Sequence, residues 1–335
     1  METFLTGRRS LLMGLFATVA GASVAVAGLV HAQAKDCPRP PQMDERFCDR
    51  DGDLIADVPE DPKEWVDPDT LVFAYTPVED PSTYKELWAD FIDHLAKVTG
   101  KNIEFFSVQS NAAQLEAMRA GRLHVSGFNS GSVPLAVNAV GFRPFAMMAA
   151  KDGRYGYRME IIVPADSDID SLDDLKAKKV AFTAPTSNSG YKAPVALLEA
   201  EVGLEEGKDY ESVFSGNHEN SILGVANKDY DAGAIADQVR RRVEARGAIK
   251  PEDLRIIYKS EIFPTTAYGV VYNLNPELAK KVEEAFLTFD WTGTKLAEEF
   301  GKSDPPQETF IPISYEEYWR VIRQIDEISG VEYKL

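Results

Sequence analysis

Val180-Ala181-Phe182-Thr183-Ala184-Pro185-Thr186-Ser187-Asn188-Ser189-Gly190-Tyr191-Lys192-Ala193-Pro194 is the stretch on which the reading of this chain turns. Its first residues are a short apolar run of the kind that forms a buried strand. A turn rich in hydroxyls follows, and a helix is expected from Ser189 to Val202. The first N–H groups of a helix lack internal partners and sit at the positive end of its dipole. With the hydroxyls of Ser187 and Ser189 and the amide of Asn188, they can cradle an oxyanion without any Lys or Arg. Simple capping of the helix by serine accounts for the same residues. The turn alone leaves both readings open.

On both sides of this turn the pattern alternates strand and helix. Upstream, strands are predicted at 71–75, 103–108, 123–128, 144–149 and 157–163. Between them lie a helix with Tyr84, Leu87, Trp88, Phe91, Ile92 and Leu95 on one face, ended by Gly100, and helices over 111–120 and 133–140. Downstream, strands are predicted at 230–236, 254–259 and 265–274, with helices at 219–227 and 237–245. Three helices, at 276–287, 292–301 and 314–328, are expected to follow. Such alternation predicts an α/β protein with helical crossovers. It restarts midway, which predicts two lobes: 71–157 plus 263–335, and 158–262, joined by two crossings near 158 and 262.

Four spaced stretches resemble one known family. They are Phe73-Ala74-Tyr75-Thr76-Pro77-Val78-Glu79, then Ala113-Gln114-Leu115-Glu116-Ala117-Met118-Arg119-Ala120-Gly121, then Ser187-Asn188-Ser189-Gly190-Tyr191 with Pro194. The fourth is Asn217-His218-Glu219-Asn220-Ser221 with Val225-Ala226-Asn227. Together they resemble the phosphonate/phosphite/phosphate-binding proteins of ABC importers, over roughly residues 71–335. The resemblance implies a two-lobed clamshell of the type II periplasmic-binding-protein kind that closes on its ligand. It implies that Ser187, Asn188 and Ser189 hold the anionic head. Glu219, with His218 beside it, would accept from a ligand amine or a protonated ligand oxygen. Tyr75, Asn111, Phe128, Asn129 and Ser130 would face them from the other lobe, and Asp237 would be a second acidic position. Asn111 and Phe128 align where phosphonate-binding members carry tyrosines, which leaves phosphate, phosphite or another small oxyanion open. The implied protein is a monomer that needs no cofactor, is not an enzyme, and serves an ABC permease in the inner membrane. A sensor accessory feeding a membrane histidine kinase has the same pattern.

The N-terminus predicts an address. Arg8-Arg9-Ser10-Leu11-Leu12 precedes an uncharged run to Val30 and the small-x-small site Ala32-Gln33-Ala34. These are the parts of a secretory signal, twin-arginine-like, with cleavage expected after Ala34 and a periplasmic destination. Residues 35–70 then form an acidic leader. Its cysteines, Cys37 and Cys48, are the chain's only two, and in an oxidising compartment they are expected to pair. Asp49-Arg50-Asp51-Gly52-Asp53-Leu54-Ile55-Ala56-Asp57 resembles the DxDGDxxxD calcium loops of thrombospondin type 3 repeats. Asp49, Asp51, Asp53 and Asp57 either hold a structural calcium or form a solvated acidic linker.

The net charge is −18 from 54 acidic and 36 basic residues, which excludes non-specific binding to nucleic acid. Ser187 or Ser189 with His218 and Asp237 could be written as a hydrolase triad, but no Gly-x-Ser-x-Gly elbow surrounds either serine. The four histidines have no metal-ligand spacing.

Overall fold

A computed structural model of the protein describes residues 37–335. The expected signal segment and its cleavage site at Ala34 lie outside the described residues.

Two sheets organise the chain. The first contains β1 (Thr70–Tyr75), β2 (Asn102–Phe105), β3 (Val125–Phe128) and β4 (Phe142–Ala149). The second contains β5 (Tyr157–Pro164), β6 (Lys179–Phe182), β7 (Glu211–Phe214), β8 (Ala232–Ala236) and β9 (Leu254–Phe263). The chain then returns to the first sheet with β10 (Ala267–Val271) and β11 (Thr309–Pro312). The strand orders are β11-β4-β10-β3-β1-β2 and β7-β6-β8-β5-β9. In the first sheet β1 runs parallel to β2 and β3, and β10 runs antiparallel to β3 and β4. In the second, β6 runs parallel to β7 and β8, and β5 runs antiparallel to β8 and β9. The chain passes between the sheets at 150–156 and at 264–266.

The inner strands β3, β6 and β8 are buried on both faces, as layers of crossover helices require, whereas the parallel edge strands β2 and β7 are exposed or half-buried. In the first lobe the predicted helix face folds inward: Tyr84, Trp88, Phe91 and Leu95 are all buried. Its helix is interrupted at Trp88 and runs on as Ala89–Thr99, ended by Gly100 in the left-handed region at φ 71°. Phe73 packs edge-on to Trp88 at 5.0 Å, and Phe91 meets Phe286 at 4.5 Å. In the second lobe Ile161, Val163, Val180, Phe182, Leu198 and Ala234 form the core.

Several expected boundaries move. The helix expected from Ser189 is a π-turn, Asn188–Lys192, running into an α-helix, Ala193–Val202. The helix expected over 314–328 breaks at Trp319, whose buried ring nitrogen donates to the Ser130 carbonyl at 2.9 Å. Strands β7 and β11 are absent from the sequence expectation.

The leader is strapped to the first lobe. Cys37 and Cys48 form a disulfide. Asp44 N donates to Asn138 O at 2.9 Å, and Arg46 Nη2 to Ala139 O at 2.9 Å. Phe47 packs on Tyr272 at 4.7 Å, and Arg143 reaches the Ala56 carbonyl.

Candidate functional site

Strand β6 delivers the chain into the turn of residues 183–187, which meets the first lobe at Asn111 and Gly131. Ser187 Oγ accepts from Gly190 N at 3.1 Å, so this hydroxyl caps the helix start. Thr183 N also donates to Gly190 O at 2.9 Å, and a Cβ at 190 would collide with the Thr183 side chain, so glycine is required there. Ser187, Asn188 and Ser189 are all buried. Asn188 Nδ2 donates to Tyr157 Oη at 3.2 Å, while Asn188 Oδ1 is buried without a protein partner. Buried polar atoms are normally satisfied, so this acceptor is left open to a donor from outside the protein.

The first lobe faces this turn with 129–132. Asn129 Nδ2 donates to Thr76 Oγ1 at 3.1 Å, and its Oδ1 accepts from Ser132 N at 3.0 Å. Ser130 Oγ donates to Pro264 O at 2.5 Å, and Ser132 Oγ is buried without a protein partner. Tyr157, where β5 begins, joins the two sides. Burial pushes its hydroxyl above the usual tyrosine range, against hydrogen bonds with Ser130, Asn188 and Ser189 that pull it down. It is a neutral donor at physiological pH. Asn111 bridges the lobes: its Oδ1 accepts from Thr76 Oγ1 at 3.2 Å and its Nδ2 donates to Thr186 Oγ1 at 3.0 Å. Gly131 lies flat against the turn, where an added methyl would overlap the backbone of Thr186 and Asn188.

The remaining expected residues fall outside this group or on its border. The Tyr75 ring is buried among Tyr84, Trp88 and Phe300, and burial pushes its hydroxyl up to about 12. Phe128 is a core residue, packed edge-on to Phe142 at 4.9 Å. His218 is buried, with Nδ1 accepting from Ala236 N at 3.1 Å, which leaves the proton on Nε2. Burial and the nearby Arg242 lower it to about 4. Glu219 is engaged by protein groups: Oε1 pairs with Arg246 at 3.0 Å and Oε2 accepts from Asp80 N at 3.1 Å. Asp237 Oδ1 accepts from Arg158 N at 2.9 Å, and burial, with Glu160 adding repulsion, raises its carboxyl. Glu79 forms a buried bridge to Arg242 and Arg246; burial alone would raise its carboxyl, and the two guanidiniums hold it below the ordinary value.

Sequence reasoning missed Tyr157, Thr76, Thr186 and Ser132. Thr76 and Thr186 stand inside stretches already singled out, next to the residues chosen. Tyr157 carries no local signal, because only the crossing of the chain between sheets sets it opposite Asn188.

In the leader, carboxylate oxygens of Asp49, Asp51 and Asp53 lie within 4.8 Å of one another. Asp49 accepts from Gly52 N and Leu54 N, and Asp53 from Ile55 N. Asp57 is turned to Arg50 at 2.9 Å instead.

The comparisons with known proteins bear on the family and the fold. The family model described as ABC transporter, phosphonate, periplasmic substrate-binding protein matches residues 73–318. The phosphate-import protein PhnD of Mycolicibacterium smegmatis is 31% identical over 229 residues, covering 65% of this chain and 71% of that protein. The phosphonates-binding periplasmic protein of Escherichia coli is 26% identical over 231 residues, 68% of each chain. Among solved structures, a binding-protein component of an ABC phosphonate transporter from Pseudomonas aeruginosa superposes with a TM-score of 0.71 at 23% identity, covering 79% of this chain and 87% of that one. PhnD1 of Prochlorococcus marinus, in complex with methylphosphonate, gives 0.69 at 17% identity, covering 79% and 100%. The fold is therefore that of the two-lobed periplasmic binding proteins, and the chain belongs to the phosphonate family of ABC-transporter periplasmic substrate-binding proteins.

Proposed function

We propose that this protein captures a small phosphorus oxyanion (phosphate, phosphite or a simple phosphonate) between its lobes and delivers it to an ABC permease. The observation that carries the reading is the buried turn Ser187-Asn188-Ser189 facing Tyr157 and Ser130, a set of neutral donors and acceptors. Hydrogen bonds to a charged ligand are worth about 1.5–3 kcal/mol each. A few of them suffice for tight binding without a counter-charge. Glu219 has both carboxylate oxygens engaged by protein groups, which favours a ligand without an amine. The relatives' names, phosphate import for one and phosphonate binding for another, bracket the same ligand class.

The protein acts as a monomer in the periplasm, exported by the twin-arginine-like signal and cleaved after Ala34. It has no catalytic step. A thermal-shift and calorimetric screen with phosphate, phosphite, methylphosphonate, 2-aminoethylphosphonate, sulfate and arsenite tests the reading, because a ligand stabilises by mass action. The expected hits are phosphate, phosphite or methylphosphonate, with 2-aminoethylphosphonate weaker. Binding of none of the phosphorus oxyanions refutes it.

A further inference from the structure

Lys192 is 6% exposed, an unusual place for a lysine unless it is paired. Its backbone belongs to the oxyanion turn: Lys192 N donates to Ser187 O at 3.0 Å, and the next amide donates to Asn188 O. Its side chain leaves the second lobe altogether. Nζ lies 2.5 Å from Asp326 Oδ1 and 2.8 Å from Gly131 O, both in the first lobe. Asp326 is itself 1% exposed. Its Oδ2 accepts from the Tyr333 hydroxyl at 3.1 Å, and Tyr333 N donates to Gln42 Oε1 at 3.0 Å. Gln42 lies inside the loop closed by the Cys37–Cys48 disulfide. A line of contacts thus runs from the leader to the turn.

The pair is dearly desolvated on both sides. Burial pulls Lys192 down and pushes Asp326 up, and each partner offsets part of the other's shift. A buried ion pair roughly breaks even against apolar side chains, whereas removing one partner strands the other charge. Parting of the lobes would break this contact, so the difference between a paired and a stranded charge would fall on the closed state.

We infer that Lys192 and Asp326 form an inter-lobe latch that ties seating of the oxyanion turn to closure, with Asp326 held in place by the leader through Tyr333 and Gln42. Lys192 is a positioning residue here: its charge is spent on Asp326 and the Gly131 carbonyl, and its backbone places Ser187 and Asn188. The inference rests on the oxyanion reading.

Four proteins test it: wild type, Lys192→Met, Asp326→Asn, and the double variant Lys192→Met/Asp326→Leu. Affinity for inorganic phosphate and for methylphosphonate is measured by calorimetry, and the ligand-free melting temperature by circular dichroism. Each single variant is expected to bind roughly 150- to 4,000-fold more weakly, the loss that follows from stranding one partner of a buried pair. The double variant is expected to recover to within about tenfold of wild type, because no lone charge is left to bury. Ligand-free melting temperatures are expected to be equal across the set. Singles that bind like wild type, a double variant no better than the singles, or an equal loss of ligand-free stability each overturn the latch. A wild type that binds neither anion overturns the oxyanion reading and the latch together, which separates that failure from the others.

Discussion

Ser187 and Ser189 stand two residues apart in one turn, yet they carry different loads. The Ser187 hydroxyl accepts from Gly190 N, so Ser187→Ala removes a helix cap, costing about 1 kcal/mol of stability as well as affinity. Ser189 has no such capping bond. Ser189→Ala is expected to leave the melting temperature near wild type and weaken oxyanion binding roughly 10- to 150-fold. Parallel melting and calorimetry would show the split, and a Ser189→Ala protein with unchanged affinity removes that residue from the site. His218 gives a prediction in pH. Its folded value of about 4 lies below the ordinary 6.5, so the unfolded chain takes up the proton first. Stability is lost as pH falls from about 6.5 to about 4, by roughly 3 kcal/mol at 1.36 kcal/mol per unit. His218→Asn keeps an acceptor for Ala236 N and cannot titrate. Its denaturant midpoint is expected to fall less than that of wild type across this window, and parallel curves would reassign the acid sensitivity to other groups.

Among the elements, two of the four edge strands are what the sequence hid. β7 and β11 both lie at sheet edges, where a strand needs no apolar run. Ser212 and Val213 in β7 are only half-buried, and β11 ends in Pro312. The central strands were legible because Val180, Ala181 and Phe182, or Ala232 to Ala236, must be apolar to be covered on both faces. The same contrast holds at the site. The hydroxyls of residues 187–189 are local and visible, whereas Tyr157 and the Lys192–Asp326 contact are products of topology, the latter pair standing 134 positions apart. Phe128 shows the reverse: a loop-facing position by resemblance whose ring the core claims. The acidic loop is an element with its own test. Burial, with repulsion from Asp51, raises the carboxyls of Asp49 and Asp53. A carboxyl raised in the folded state is destabilising while ionised, and the cost is relieved as pH falls through its folded value toward the ordinary one. A divalent cation among the three oxygens would relieve the same repulsion at neutral pH. Millimolar calcium is expected to raise the wild-type melting temperature at pH 7, with EGTA reversing it and Asp51→Asn indifferent to both. A wild-type protein that ignores calcium reduces the carboxylates to caps of their own turn.

For the whole molecule, what matters is how closely the lobes meet. Gly131 presses on the turn where no side chain fits. Gly131→Ala would overpack the closed state by about 1–3 kcal/mol and spare the open one. Its affinity for phosphate is expected to fall roughly 5- to 150-fold at unchanged ligand-free melting temperature. In small-angle scattering, phosphate is expected to shrink the radius of gyration of wild type more than that of the variant, and equal shrinkage would show that Gly131 does not limit closure. The strap between the leader and the first lobe also sets an order of assembly during synthesis. Strands β5 to β9 are contiguous and can pair as soon as they emerge. The first lobe must wait for β10 and β11, and Gln42 meets Tyr333 only after 291 further residues have been made. The segment translated early is thus among the last to dock. On the ribosome the two halves of the cleft mature in the reverse of their order in the chain, and a nascent protein can hold a finished second lobe while it still has no site to fill.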